Sequence, residues 1–167
     1  MVFQMIEDGF YRMDCFEWMA QIDDKSIDMI LCDMPYGTTK NRWDSVLPLN
    51  ELWEQYERII KDDGAIVLFS QQPFSSVLVQ SNLKLFKYEW IWEKTTATGF
   101  LNCNYAPLKC HENILVFGKA ATSPVKSLHM VYNPQMGTGK PISKTRSGRG
   151  SENYGKQKPT YYSSDGT

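Results

Sequence analysis

An apolar run, Ile27 to Leu31, stops abruptly at Asp33-Met34-Pro35-Tyr36-Gly37. The surrounding stretch, "SIDMILCDMPYGTTKNRWD", passes from residues that bury to an acid, a proline and an aromatic ring. In open α/β sheets, ligands bind beyond the carboxyl ends of the strands. A short buried strand that ends this way therefore presents its last residues to a ligand. Pro35 holds Met34 extended and fixes the direction of the Met34 carbonyl. Asp33 adds a carboxylate, and Tyr36 adds a flat face. Hydrogen-bond acceptors beside a stacking platform suit a planar base that carries an exocyclic amine.

The flanking pattern supplies a sheet for that strand. "MDCFEWMAQIDD" reads as a short helix, with Asp14 as N-cap and Glu17 three residues later. "LNELWEQYERIIK" has apolar residues at 49, 52, 53, 56, 59 and 60, the spacing of an amphipathic helix. It is expected to end at Asp62-Asp63-Gly64, with Gly64 as a left-handed cap. "AIVLFS" then reads as a buried strand, and Pro73 opens a helix over "PFSSVLVQSNL". "KYEWIWEK" and "ENILVFGK" are aromatic and β-branched strands. The alternation implies an α/β domain with a mainly parallel sheet. The last two strands have no helix between them and are expected to form an antiparallel edge. Trp90 and Trp92 fall on one face of their strand, where core packing is expected, with a wall of the base pocket as the alternative. Lys94, Thr95, Thr96 and Gly99 are expected to follow that strand and shape a pocket.

A chain of 167 residues suffices for one domain with a core. No apolar run approaches the ~18 residues of a membrane helix. The start, "MVFQMIEDGFYRMD", lacks the basic-then-apolar order of a signal peptide. Cytoplasmic residence is the expectation, with no membrane partner. The four cysteines, 15, 32, 103 and 110, form no CxxC pair and are expected to be reduced thiols. Cys103, Cys110 and His111 do not have the spacing of a closed zinc site, so no metal is assigned.

Charge divides the chain. Residues 1–118 carry ten basic and 17 acidic residues, net −7, whereas residues 119–167 carry eight and two, net +6. After Gly118 the strand and helix pattern dissolves into Gly, Ser, Thr, Lys and Tyr, too polar for a core of its own. The expected organisation is an α/β catalytic domain over 1–118, then an irregular, partly disordered basic segment over 119–167. Lys140, Lys144, Arg146 and Arg149 are the candidate phosphate contacts, of the kind that give salt-dependent affinity without base specificity. "GTGK" at 137–140 is not a phosphate loop, because the upstream glycine is missing and Pro141 follows the lysine.

Asp-x-Pro-Tyr after an apolar strand resembles the catalytic motif of amino-group DNA methyltransferases. That family usually has Asp-Pro-Pro-Tyr; Met34 is the departure here. The stretch from "YRMDCFEWMAQIDD" to "NRWDSV", then "ELWEQYERIIKDDGAIVLF", "YEWIWEKTTATGFLN" and "HENILVF", is similar to circularly permuted phage and bacterial members. In that class the catalytic motif precedes the cofactor motif. The resemblance implies a partial doubly wound, Rossmann-like sheet. It implies methyl transfer from S-adenosylmethionine to the amine of a base flipped out of double-stranded DNA. Asp33, Met34, Pro35 and Tyr36 would be catalytic, and Asp14, Cys15 and Asp33 would lie at the cofactor. Adenine is expected over cytosine because the motif begins with Asp rather than Ser. It also implies a bacterial host cell and a phage link. The family's cofactor loop, Asp-Pro-Phe-x-Gly-x-Gly, does not occur in these 167 residues. The expectation is a catalytic half, completed by further chain or by a protein partner that extends the sheet. The second reading is a methyltransferase-like protein without catalysis, which binds a protein or nucleoprotein partner as an inhibitor or accessory subunit.

Overall fold

The computed structural model describes residue 9 and residues 11–122, 128–133, 142–146 and 160–164. Its elements are α1 (Cys15–Met19), β1 (Ile27–Cys32), α2 (Leu49–Ile59), β2 (Ile60–Ser70), α3 (Phe74–Ser81), β3 (Phe86–Thr98), β4 (Lys109–Phe117), β5 (Ile142–Arg146) and β6 (Thr160–Ser164). A 3₁₀ turn, Phe100–Asn102, lies between β3 and β4. Two compact units result, 1–131 and 132–167.

The first unit holds a four-stranded sheet in the order β1-β2-β4-β3. β1 and β2 are parallel, and β4 runs antiparallel to both β2 and β3. The sheet is thus mixed rather than mainly parallel. No helix carries the chain from β3 across to β4, so the two close as a hairpin. β4 enters between β2 and β3, which leaves β2 and β3 pointing the same way. The carboxyl ends of β1, β2 and β3 therefore share one edge of the sheet.

One face of the sheet carries the core. Ile66 and Leu68 of β2 and Leu115 and Phe117 of β4 are buried under Leu52, Trp53 and Tyr56 of α2 and Phe74 and Leu78 of α3. The α2 residues follow from helical spacing, with Leu52, Trp53, Tyr56 and Ile59 all buried. Trp53 lies 4.8 Å, centroid to centroid, from Phe117, and its indole N–H donates to Ser81 Oγ at 2.7 Å. Arg58 ties α1 to α2: its guanidinium donates to the carbonyls of Met19 at 2.6 Å and Ile22 at 2.7 Å. These are orphan acceptors where α1 ends.

Three expectations fail for reasons visible in the structure. Gly64 is not a helix cap. α2 stops at Ile59, Ile60 is already extended, and β2 begins there opposite Ile27. Full burial of Ile60 favours the strand over another helical turn. Between Ile27 and Met29 the register shifts from Ile60 to Ala65, so β2 bulges through Asp62 to Gly64. A Cβ at Gly64 would meet the Asp28 carbonyl oxygen at 2.8 Å, which is why a side chain is absent there. Trp90 and Trp92 are not core residues. β3 is an edge strand, and they are 51% and 48% exposed on the face opposite the helices. On that face Val116, Ala120 and Met130 form a small cluster, while Met29 and Leu31 are exposed. Lys94 to Thr96 do not follow β3 but lie within it, because the hairpin extends through Thr98.

In the second unit β5 and β6 pair antiparallel, so a two-stranded ribbon occurs within the segment read as irregular. Among the described residues, no helix is long and apolar enough to cross a membrane.

Phe117→Ala is expected to cost about 3–5 kcal/mol of unfolding free energy. Trp90→Ala is expected to stay within about 1 kcal/mol. Urea unfolding of both variants checks the distinction between core and edge aromatics.

Candidate active site at the carboxyl edge of the sheet

Parallel pairing carries β1 up to Cys32, opposite Leu68 of β2, and releases Asp33 at the sheet's carboxyl edge. Asp33 is exposed, and Met34, at 4% exposure, is buried in the core cluster. The motif thus alternates between solvent and core, so Met34 anchors the loop with its side chain as well as presenting a carbonyl. Pro35 and Tyr36 are partly buried. The Tyr36 hydroxyl donates to Asp33 Oδ1 at 2.6 Å. One face of the Tyr36 ring stacks on Phe74, centroids 5.4 Å apart and planes 23° apart. Burial, then the hydrogen bond to Asp33, pushes the Tyr36 phenol well above its usual range. Tyr36 therefore stays a neutral donor, holding one carboxylate oxygen of Asp33.

A carboxylate that the sequence reading did not single out fixes the loop after the motif. Buried Asp44 accepts the backbone N–H groups of Gly37 at 2.8 Å, Thr38 at 2.9 Å and Thr39 at 2.6 Å. Three successive amides converging on one anion form a nest. Gly37 has φ +68°, and a Cβ there would meet Val46 Cγ2 at 3.0 Å. The signal was present in "GTTKNRWD": a glycine and two threonines followed closely by an acid suggest a turn closed by a side-chain acceptor.

Polar residues from β2, α3 and β4 line the same edge. Ser75 Oγ donates to Ser70 Oγ at 2.9 Å, and Asn113 Nδ2 donates to Glu89 Oε2 at 2.9 Å. Lys94 pairs with Glu112, and Lys109 Nζ donates to Gln71 Oε1 at 3.2 Å. The Lys94 ammonium also lies 5.5 Å from the Trp92 ring centroid.

Asp14 caps α1 as expected, its Oδ1 accepting from Phe16 N–H at 2.9 Å and Glu17 N–H at 3.3 Å. Cys15 is the first helical residue, and its neighbour Phe16 packs against the same core cluster as Cys32 at the end of β1. Burial pushes both thiols up, and Asp14 adds to this at Cys15. Neither cysteine is an activated nucleophile. Lys140 and Arg149 lie outside the described residues, and Lys144 and Arg146 are described only as backbone of β5.

The Thr39 hydroxyl, together with the three amides, holds the Asp44 carboxyl below the usual carboxylate range against the opposing effect of burial. A folded pKa below the unfolded one adds stability above the ordinary carboxylate value. That stability is lost as pH falls through the folded value. Asp44→Asn is therefore expected to melt earlier at neutral pH and to lose less on acidification than the wild type. Thermal melts across the acid range check both effects.

No family model matches the chain. Two curated proteins of Moraxella bovis are similar to it. The Type II methyltransferase M1.MboII is 26% identical over 121 residues, covering 66% of this chain and 45% of that protein. The Type II methyltransferase M2.MboI is 26% identical over 123 residues, covering 58% and 45%. The chain spans about half the length of these curated relatives. Among solved structures, the cytosine-N4-specific PvuII DNA methyltransferase has a TM-score of 0.53 at 12% identity, covering 66% of this chain and 48% of that one. M1.HpyAVI, in a complex with SAM, has a TM-score of 0.50 at 21% identity, covering 71% and 63%. The chain is thus similar in sequence to Type II methyltransferases over about half their length, and it shares the Rossmann-like fold of the two solved methyltransferases.

Proposed function

We propose that this chain is the catalytic half of a DNA methyltransferase that modifies the exocyclic amine of an adenine flipped out of the duplex. The observation that carries the reading is the pairing of Asp33 with Tyr36 at the carboxyl end of β1. It sets a carboxylate beside a ring whose far side rests on Phe74. A base leaving the stack would find a flat surface in Tyr36. Asp33, with the Met34 carbonyl, would accept hydrogen bonds from the amine. Those bonds draw the nitrogen towards tetrahedral geometry and expose its lone pair. As the amine becomes methylated, Asp33 is placed to take the departing proton and pass it to water. Positioning and preorganised acceptors account for the acceleration without a covalent enzyme intermediate.

Asp14, Cys15 and Asp33 would hold S-adenosylmethionine from this side of the sheet. When bound, it supplies an electrophilic methyl group, whose bond to sulfur breaks with the electron pair left on sulfur. Adenine is favoured over cytosine by the leading Asp of the motif. The similarity to Type II methyltransferases favours this reading over a non-catalytic accessory protein.

The test is transfer of labelled methyl from S-adenosylmethionine to mixed-sequence duplex DNA by the intact protein that carries this chain. Asp33→Ala is expected to lower the rate at least about 100-fold. Tyr36→Phe, which keeps the ring, should retain more activity than Tyr36→Ala. Digestion of the product to nucleosides identifies the base. Absence of transfer by the wild type, or full activity of Asp33→Ala, would overturn the reading.

A further inference from the structure

Two buried hydroxyls interrupt the apolar layer under the edge that carries Asp33. Ser70, the last residue of β2, is fully buried, and Ser75, in the first turn of α3, is 3% exposed. With Asp44 they are the buried polar residues among those described. Taking a hydroxyl out of water is costly unless it finds a partner. Alanine would fill either place without that cost, so the hydroxyls call for a reason beyond filling space.

Their partners form a chain across the helix-covered face of the sheet. Ser75 Oγ donates to Ser70 Oγ at 2.9 Å and lies 3.5 Å from Asn113 Oδ1 on β4. Asn113 Nδ2 in turn donates to Glu89 Oε2 on the edge strand β3 at 2.9 Å. Register accounts for the meeting. Asn113 pairs with Ser70 on one side and with Ile91 on the other, and Glu89, two residues before Ile91, shares its face. The main chain of Ser75 is held as well, its N–H donating to the Gln71 carbonyl at 3.1 Å. One serine thus ties α3 to β2 and β4, and Asn113 carries the tie on to β3.

What the tie controls is the residue before it. Phe74 precedes Ser75 and stacks against Tyr36, centroids 5.4 Å apart and planes 23° apart. The other end of α3 is fixed by the Trp53 indole N–H, which donates to Ser81 Oγ at 2.7 Å. Phe74 and Ser81 are the two ends of the helix, about 10 Å apart at roughly 1.5 Å per residue. A tilt of about 5° about Ser81 would therefore shift Phe74 by roughly 1 Å. Between its ends α3 meets the sheet through apolar side chains such as Leu78, and burial of this kind has no preferred direction. Hydrogen bonds have one. Apolar packing brings Phe74 against Tyr36, and the serine–asparagine chain holds α3 at the tilt where the two rings stack.

We infer that Ser70, Ser75 and Asn113 are positioning residues for Tyr36, acting through Phe74 to hold its ring in the plane that a target base must meet. The inference rests on the proposed stacking of the base on Tyr36 and adds the groups that orient that surface. Misplacing a positioning surface by about 1 Å lowers rates on the order of 100-fold, so hydroxyls remote from the chemistry are enough to matter.

The test uses the intact protein that carries this chain and has two readouts. One is the ¹⁹F resonance of a fluorine label on the Tyr36 ring, recorded without DNA. The other is methyl transfer to mixed-sequence duplex DNA, resolved into kcat and KM. Ser70→Ala/Ser75→Ala removes both hydroxyls together, so neither is orphaned, and the melting temperature is expected to stay within about 4 °C. The ¹⁹F resonance is expected to shift or broaden, and kcat to fall about ten-fold with KM within about two-fold of the wild type. Ser76→Ala, on the exposed side of the same helix, should leave both readouts unchanged. Asn113→Ala, at a partly buried position, should move both in the same direction by less, and it decides the matter if the double variant does not fold. A wild-type resonance in the folded variant would overturn the inference. So would a shifted resonance with wild-type kcat, or an equal effect of Ser76→Ala. A shifted resonance in a protein that transfers no methyl group would sink the proposed reaction while leaving the positioning of Tyr36 standing.

Discussion

Parallel pairing of β1 with β2 is the constraint on which the site depends. It makes both strands finish at the same edge, so Asp33 emerges beside Ser70 and the start of α3 rather than at the far end of the sheet. That pairing is held from one side only. Ile66 and Leu68 of β2 bury against α2 and α3, and β1 joins the same cluster through Ile27, Ile30 and Cys32. Met34 extends the cluster past the end of the strand and draws the motif loop onto α3, where Phe74 meets Tyr36. A single apolar layer thus sets the height of the carboxylate and the angle of the ring.

The parts of this arrangement governed by local periodicity were legible in the sequence. The apolar spacing of α2 and the run of β1 each report a face buried against a fixed neighbour, and Asp14 sits in the N-cap geometry its type favours. What was not legible depended on partners far along the chain. Gly64 looked like a helix cap because Asp62-Asp63-Gly64 is turn-like in isolation. Only the parallel partner β1, more than 30 residues earlier, turns Ile60 to Gly64 into strand. Trp90 and Trp92 looked like core because alternation does not say whether a second layer covers the face. Their strand lies at the sheet's edge, and that is a property of topology.

The site was legible to a similar extent. The motif singles out Asp33 and Tyr36, but their mutual hydrogen bond depends on how the loop folds after Cys32 and is visible only in the structure. Asp44 escaped notice because an acid in a polar loop carries no periodic signal. Its role appears only when three amides turn towards it. The candidate phosphate contacts were sought where positive charge is densest along the sequence. Of these, only Lys144 and Arg146 fall among the described residues.

A sheet with one covered face and one outer strand has a further consequence for catalysis. Among the described residues β1 has a partner on one side only, and Met29 and Leu31 project from it into solvent. An open strand edge beside exposed apolar residues is a template for another strand. In a doubly wound sheet, the ligand crevice lies where the strand order reverses, between the two innermost strands of the halves. With β2, β4 and β3 all to one side of it, β1 is the innermost strand of this half. On the proposed reading, a strand added along β1 would open that crevice directly beside Asp33 and Cys15. The half described here would then hold the target base, and the added half would hold most of the methyl donor. Asp33 belongs to both, because it ends the one strand that borders the crevice. Base positioning and methyl delivery would therefore meet at a single carboxylate, whose orientation the Tyr36 hydroxyl already fixes.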